Sequence, residues 1–339
     1  MIVRPRVLML TAALAAAQAP ALAQQAPQPQ DTAQERPPAG VTEQVVTLGS
    51  GEWAVTGIIT MPAGGGPFPG AVLMHGSGPG TRDGDVGPNK ILREEAWGLA
   101  ARGVAVLRYD KRATAHRDRY RALGRPATID EEFTEDGLAA VRLLQATRGV
   151  DARRVYIIGH SQSTGLAPHI ARQTGAAGVV LLAAGSRTAA QMIREQVQYA
   201  TSLTPGDTAS ERGAREMLAQ VARMEDPATP DTAVVMGRPM SYWRAVPPRK
   251  AMDDAQALLD GGGRVMVVHG GRDYLLTDAD FAAWRQRFDG RAGALLRRYA
   301  DLNHMMQPGE GRMTPAEYNQ RRHVSPQLLR DVAEWIRER

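Results

Sequence analysis

The apolar positions divide the chain into stretches of different kind. Around Gly49-Ser50-Gly51, β-branched and apolar residues gather at 45–48 and again at 53–61, which predicts an antiparallel hairpin at one edge of a mixed sheet. Beyond it, short continuous apolar runs at 71–74, 104–108, 155–159 and 179–184 alternate with amphipathic helical patterns over 90–102, 130–147 and from Gln162 onward. A run apolar at every position, instead of every second one, belongs in a parallel sheet covered on both faces, and strand–helix alternation builds such a sheet. The predicted core is therefore doubly wound α/β. After Gly185 the alternation stops, and residues 185–248 carry helical patterns rich in Ala, Gln, Glu, Arg and Met, broken at Pro205-Gly206 and between Pro227 and Pro230. This segment reads as a helical cap inserted after one strand. Strands at 265–269 and 295–299 then resume the alternation, with helices over 278–288 and 325–338. The core is thus expected over 41–184 and 249–339, without internal repeats.

The N-terminal pattern sets the expected compartment. Arg4 and Arg6 precede an uncharged apolar run, and Ala21-Leu22-Ala23 follows it as an A-x-A cleavage site, so residues 1–23 read as a secretory signal peptide. A retained anchor would need about 20 apolar residues, more than this run offers. Residues 24–40, mostly Gln, Pro and Ala, have little to bury and read as a tether. A periplasmic or secreted protein without a membrane span is expected. The chain has no cysteine, which excludes disulfides, a thiol nucleophile and a lipidated N-terminal cysteine. Its formal charge of +5 is spread along the sequence without a basic stripe, which argues against nucleic-acid binding.

The candidate chemistry centres on Val155-Tyr156-Ile157-Ile158-Gly159-His160-Ser161-Gln162-Ser163-Thr164-Gly165, a strand running into a serine and then a helix. A sharp turn of this kind lifts a serine hydroxyl above the sheet edge, provided small residues two before and two after it let strand and helix approach. The second small residue here is Ser163, where glycine is usual. Taken alone, the motif is equally compatible with a serine capping a helix. Other segments favour a nucleophile. The strand end Met74-His75-Gly76-Ser77-Gly78-Pro79-Gly80 could present the backbone amide of Ser77, paired with that of Gln162, to a tetrahedral oxyanion. A plain flexible turn or a phosphate loop are the other readings, the latter without the Lys-Ser/Thr ending of a P-loop. Asp273 follows one later strand and His304 the next. A serine needs an imidazole base, and that imidazole needs a carboxylate to fix its tautomer. Asp278 and Asp301 compete for the acid, and His269 and His323 for the base.

These residues resemble the α/β-hydrolase superfamily, and within it the bacterial esterases grouped with serine aminopeptidase-like hydrolases. The resemblance runs through His75-Gly76-Ser77-Gly78-Pro79, Arg82-Asp83, Leu107-Arg108-Tyr109-Asp110-Lys111-Arg112, Gly159-His160-Ser161, Gly270 to Asp273 and Leu302-Asn303-His304. It implies Ser161 as nucleophile, Asp273 as acid and His304 as base, in the chain order of that family. Two departures stand out: Ser163, and Ala113 where relatives usually have glycine.

Several signals remain bland. Asp83-Gly84-Asp85 with Asn89 and Glu94 has the oxygen ligands of a calcium loop, but Pro88 occupies the position where that loop needs glycine, so no metal is expected. Lys111 and Arg112 receive no role. Methionines 192, 217, 224, 236 and 240, and the pair Met305-Met306, suit an adaptable apolar pocket or ordinary core. The expected function is a cofactor-free carboxylesterase acting on small to medium acyl esters through an acyl-enzyme. The rivals are a serine peptidase with the same triad and a non-catalytic binding protein on the same scaffold. Acyl length, alcohol group, stereoselectivity and oligomeric state are not encoded in any motif.

Overall fold

The computed structural model of the chain describes residues 36–245 and 248–338; the expected signal peptide and the tether up to residue 35 lie outside the described residues. Eight strands form the central sheet: β1 (Thr42–Leu48), β2 (Val55–Met61), β3 (Phe68–Met74), β4 (Ala105–Tyr109), β5 (Val150–His160), β6 (Gly178–Leu182), β7 (Arg264–Gly270) and β8 (Ala294–Tyr299). Their order is β1-β2-β4-β3-β5-β6-β7-β8. β1 and β2 are the expected antiparallel hairpin, β2 pairs antiparallel with β4, and every remaining pairing is parallel.

The continuous apolar runs have the predicted cause. Along β3, Val72 and Met74 join one core cluster while Ala71 and Leu73 join the other; along β5, Val155 and Ile157 divide from Tyr156 and Ile158 in the same way. On the first face lie α2 (Glu135–Gln145), α3 (Ala167–Thr174), α6 (Pro248–Asp260) and α7 (Asp278–Phe288); on the other lie α1 (Ile91–Ala100) and α8 (Pro326–Arg337). α8 shows why such helices dock. Leu328, Leu329, Val332, Ala333 and Ile336 fall at helical spacing and are all buried, each large aliphatic contributing roughly 1.5–3 kcal/mol. The Ser325 hydroxyl accepts from the Leu328 amide, and Pro326 occupies the first turn, where its missing N–H costs nothing.

Between β6 and β7 the chain makes two helices that pack on each other, α4 (Ala189–Ser202) and α5 (Thr208–Glu225). The excursion is not wholly helical. Val234–Val235 and Arg238–Pro239 pair as a small hairpin, because Met236 and Gly237 both take positive φ, the requirement of a two-residue turn. After β5, the helix expected from Gln162 is replaced by a 3₁₀ turn over Ser161–Gly165, and α3 begins only at Ala167. The Thr164 hydroxyl donates to the Ser161 carbonyl within that turn, and Pro168 in the first turn of α3 suits a fresh helix start. Trp53, expected in a strand, sits in a 3₁₀ turn before β2. No helix among the described residues is long and apolar enough to cross a membrane.

Candidate active site

Ser161 follows β5 directly and takes φ 54°, the left-handed region that a serine rarely adopts. The turn is held by close packing. A Cβ on Gly159 would lie 3.2 Å from the Ser163 backbone and 3.2 Å from the Ala167 Cβ, so a side chain there would have to push strand and helix apart by a few tenths of an ångström. Ser163 itself fits: its buried hydroxyl accepts from the His160 amide at 2.9 Å and lies 3.1 Å from the Met74 carbonyl as a donor. Where glycine would leave space, this serine ties the turn after β5 to β3. Ala113, the other departure, lies in a helical turn over Arg112–Ala115, where alanine is favourable.

The loops that carry Asp273 and His304 converge from the ends of β7 and β8. His304 Nδ1 lies 2.7 Å from Asp273 Oδ2, and the Asp273 side chain is fully buried. Asp273 Oδ1 accepts from the amides of Leu275 and Leu276, at 2.7 and 3.2 Å. A carboxylate can only accept, so the shared proton sits on Nδ1 in the neutral imidazole and Nε2 keeps its lone pair. Gly270 permits the approach: a Cβ there would meet the Leu302 carbonyl at 2.5 Å. The competing residues lie elsewhere. Asp278 pairs with Arg298 at 2.7 Å and Asp301 is exposed; His269 stacks on Phe281, and His323 bonds Glu94 at 3.0 Å.

Ser161, His304 and Ser77 open on one cavity of about 480 Å³. Its walls are mostly apolar, with Ile193, Met217 and Met236 supplied by the excursion between β6 and β7, and Met305 by the base loop. Asp85 is the one charged lining residue, and it is paired with Lys90. Of the methionines considered, Met217, Met236 and Met305 reach the cavity, whereas Met240 and Met306 are core. Gln162 turns its side chain away to the Tyr242 hydroxyl, at 2.9 Å.

Two further histidines border the site. His160 Nε2 donates to the His304 carbonyl at 2.8 Å, and His75 Nε2 donates to the Tyr109 carbonyl at 2.6 Å. Burial lowers the pKa of His160 to about 4 and that of His75 to about 3, with His304 and Lys111 respectively adding to the effect. Both are neutral at pH 7 and act as rigid donors.

Two buried ion pairs beside the site join a cation from a resemblance segment, Lys111 or Arg272, to a carboxylate, Glu132 or Glu317, that no sequence motif marked. Lys111 Nζ contacts Glu132 Oε1 at 2.9 Å and donates to the carbonyls of Gly76 and Gly78, at 3.0 and 2.8 Å. Arg272 contacts Glu317 at 2.6 Å and also donates to the carbonyls of Gly311 and Glu310. Glu317 accepts in turn from Asn303 Nδ2, while Asn303 Oδ1 accepts from the amides of Met305 and Gln307. Lys111 and Arg272 stood within segments of the resemblance, but Glu132 and Glu317 had no signal in the sequence. In the segment that only partly matches a calcium loop, Asp83 pairs with Arg108 and Asp85 with Lys90, and no group of three or more metal-ligating side chains occurs among the described residues.

This sheet order, with a strained serine after the fifth strand and an acid–histidine pair after the last two, defines an α/β hydrolase, and the chain belongs to that family. The model of the alpha/beta hydrolase family matches residues 71–318. Esterase EstD of Thermotoga maritima is 36% identical over 280 residues, which cover 83% of this chain. The chain spans 65% of the length of that relative. Among solved structures, the esterase domain of a Rhodothermus marinus protein superposes with a TM-score of 0.51 at 16% identity, covering 87% of this chain and 97% of that one. Porphyromonas gingivalis dipeptidyl peptidase 4 does so with a TM-score of 0.52 at 14% identity, covering 87% and 35%. At such identities the likeness extends to the fold alone.

Proposed function

We propose that the protein is an exported carboxylesterase for neutral, small to medium acyl esters, with Ser161 as nucleophile, His304 as base and Asp273 as its orienting acid. The observation that carries this reading is the oriented, buried Asp273–His304 pair opening on the same apolar cavity as a left-handed Ser161. In this mechanism His304 Nε2 takes the Ser161 proton as Oγ attacks the ester carbonyl. The Ser77 and Gln162 amides receive the oxyanion, the alcohol leaves with the proton from His304, and water repeats the cycle on the acyl-enzyme.

The cavity's charge favours an ester over a peptide amine. An N-terminal ammonium needs a carboxylate to receive it, yet Asp85 is paired. Glu195 and Glu225 bind Arg187 and Arg194, and neither these nor Glu211 and Glu216 line the cavity. The fold itself serves esterases and peptidases alike, and the esterase name of the 36%-identical relative supports the same choice. Export rests on the sequence of residues 1–23 and is checked by the N-terminus of protein recovered from the periplasm or medium.

The test compares p-nitrophenyl acyl esters with aminoacyl anilides and labels the protein with a fluorophosphonate. Ester turnover well above anilide turnover, with the label on Ser161, is expected. Faster anilide hydrolysis would establish the peptidase, and a folded protein with neither turnover nor label would establish a binding protein.

A further inference from the structure

Glu132 stands where three parts of the molecule meet. It lies in the π-helical turn over Asp130–Thr134, its side chain 1% exposed. Oε1 receives Lys111, whose ammonium spends its remaining protons on the carbonyls of Gly76 and Gly78 and sits 4.1 Å above the Phe133 ring. Oε2 receives the Tyr242 hydroxyl at 3.1 Å and the Arg238 guanidinium at 2.6 Å, and the same hydroxyl accepts from Gln162 Nε2. Tyr242 and Arg238 come from the excursion between β6 and β7.

The two arms end on the two segments that carry the oxyanion donors. In a planar trans peptide the carbonyl and the following N–H point in opposite directions. By holding the Gly76 carbonyl, Lys111 turns the Ser77 N–H to the side away from itself. Gly76 and Ser77 line the cavity and Lys111 does not, so that side is the cavity side. The Gly78 carbonyl, held by the same ammonium, precedes Pro79, whose nitrogen carries no proton. The grip on peptide 76–77 is thus the one that aims a donor, and a carbonyl accepting from a cation also makes the N–H of its own peptide a stronger donor. On the second arm, the Tyr242 hydroxyl anchors the side chain of Gln162, the residue whose amide follows the nucleophile.

We propose that the Glu132 carboxylate organises both halves of the oxyanion hole, through Lys111 for the Ser77 amide and through Tyr242 for the Gln162 amide, making Lys111, Glu132 and Tyr242 positioning residues. The inference rests on the esterase reading. It also makes the excursion part of the catalytic geometry, because the Tyr242 arm exists only when that segment is docked.

Lys111→Met keeps the apolar stem and removes all three donated bonds; Tyr242→Phe removes one hydroxyl. With p-nitrophenyl butyrate, Lys111→Met should lower kcat by about 10²–10³-fold, the range seen when an oxyanion donor is lost. Tyr242→Phe should lower it by about 5- to 10-fold, with KM in both cases within threefold of wild type. An ion pair that served folding alone would lower the melting temperature and leave kcat of the folded enzyme intact. Wild-type kcat in either folded variant, or a loss carried by KM, overturns the proposal. Should Lys111→Met fail to fold, Tyr242→Phe decides. A wild-type protein that neither turns over the ester nor is labelled at Ser161 overturns the esterase reading and this inference together, whereas active wild type with unaffected variants overturns this inference alone.

Discussion

The two sides of the cavity that Ser161 and His304 line are braced by the same device put to different use. On the His304 side, the Arg272–Glu317 pair and Asn303 join the Asp273 and His304 loops to the 310–317 segment, and every partner belongs to the C-terminal part of the core. On the Ser161 side, the Lys111–Glu132 pair reaches out through Arg238 and Tyr242 to the excursion between β6 and β7. One brace is closed within the core, and the other is open to a segment that also walls the cavity. A buried ion pair costs desolvation and gains it back only when every donor and acceptor is matched. Such pairs are weak contributors to stability, and here they occur beside loops that line the cavity.

Breaking the chemistry itself gives the largest effect. Ser161→Ala should remove ester turnover by on the order of 10⁴–10⁶-fold and abolish fluorophosphonate labelling, with an unchanged thermal melt, since neither brace contains that hydroxyl. Breaking the closed brace comes next. Glu317→Leu strands the buried Arg272 and should cost roughly 3–5 kcal/mol of unfolding free energy in urea titrations; a loss of under 1 kcal/mol would show that the two braces are not alike.

Acid should then separate the sides. His160 and His75, both beside the nucleophile, bind protons less readily when folded than when unfolded, with pKa values of about 4 and 3 against 6.5. The unfolded chain therefore takes up more protons below pH 6.5. Stability from these groups is complete above that pH and is lost as pH falls towards 4, by on the order of a few kcal/mol. His160→Gln should flatten the dependence of the urea midpoint between pH 6.5 and 4, and an unchanged slope would assign it elsewhere. The smallest effect concerns the cavity wall. Met217→Ala, on the excursion, should shift the preferred p-nitrophenyl ester by two or more carbons and raise kcat/KM for the longer chain by about 10-fold. An unaltered chain-length profile would remove the excursion from substrate choice.

Much of this was legible in the chain. Continuous apolar runs specified a sheet covered on both faces, and Val72 and Ala71 do face opposite cores. The residues that meet at the cavity, Ser161, Ser77 and His304, with Asp273 behind, were nominated from strand ends and order, and the structure brings them together. Less legible were local departures. The turn after Ser161 is 3₁₀ because hydroxyls of Ser163 and Thr164 take backbone partners, a competition that helical periodicity does not register. Lys111, without a role by sequence, proved one of the most buried cations.

What the sequence determined by itself is the class of element at each position and the order of chemical groups along the chain, because hydrophobic period and turn chemistry are local properties. What only the tertiary structure decided is which groups meet. The meeting of His304 with Asp273 and not with Asp278 or Asp301, and that of Glu132 with Lys111 and, across 110 residues, with Tyr242, depend on loops brought together by sheet order. Burial then gives those meetings their strength, since a charge or hydroxyl removed from water must find its partner in space.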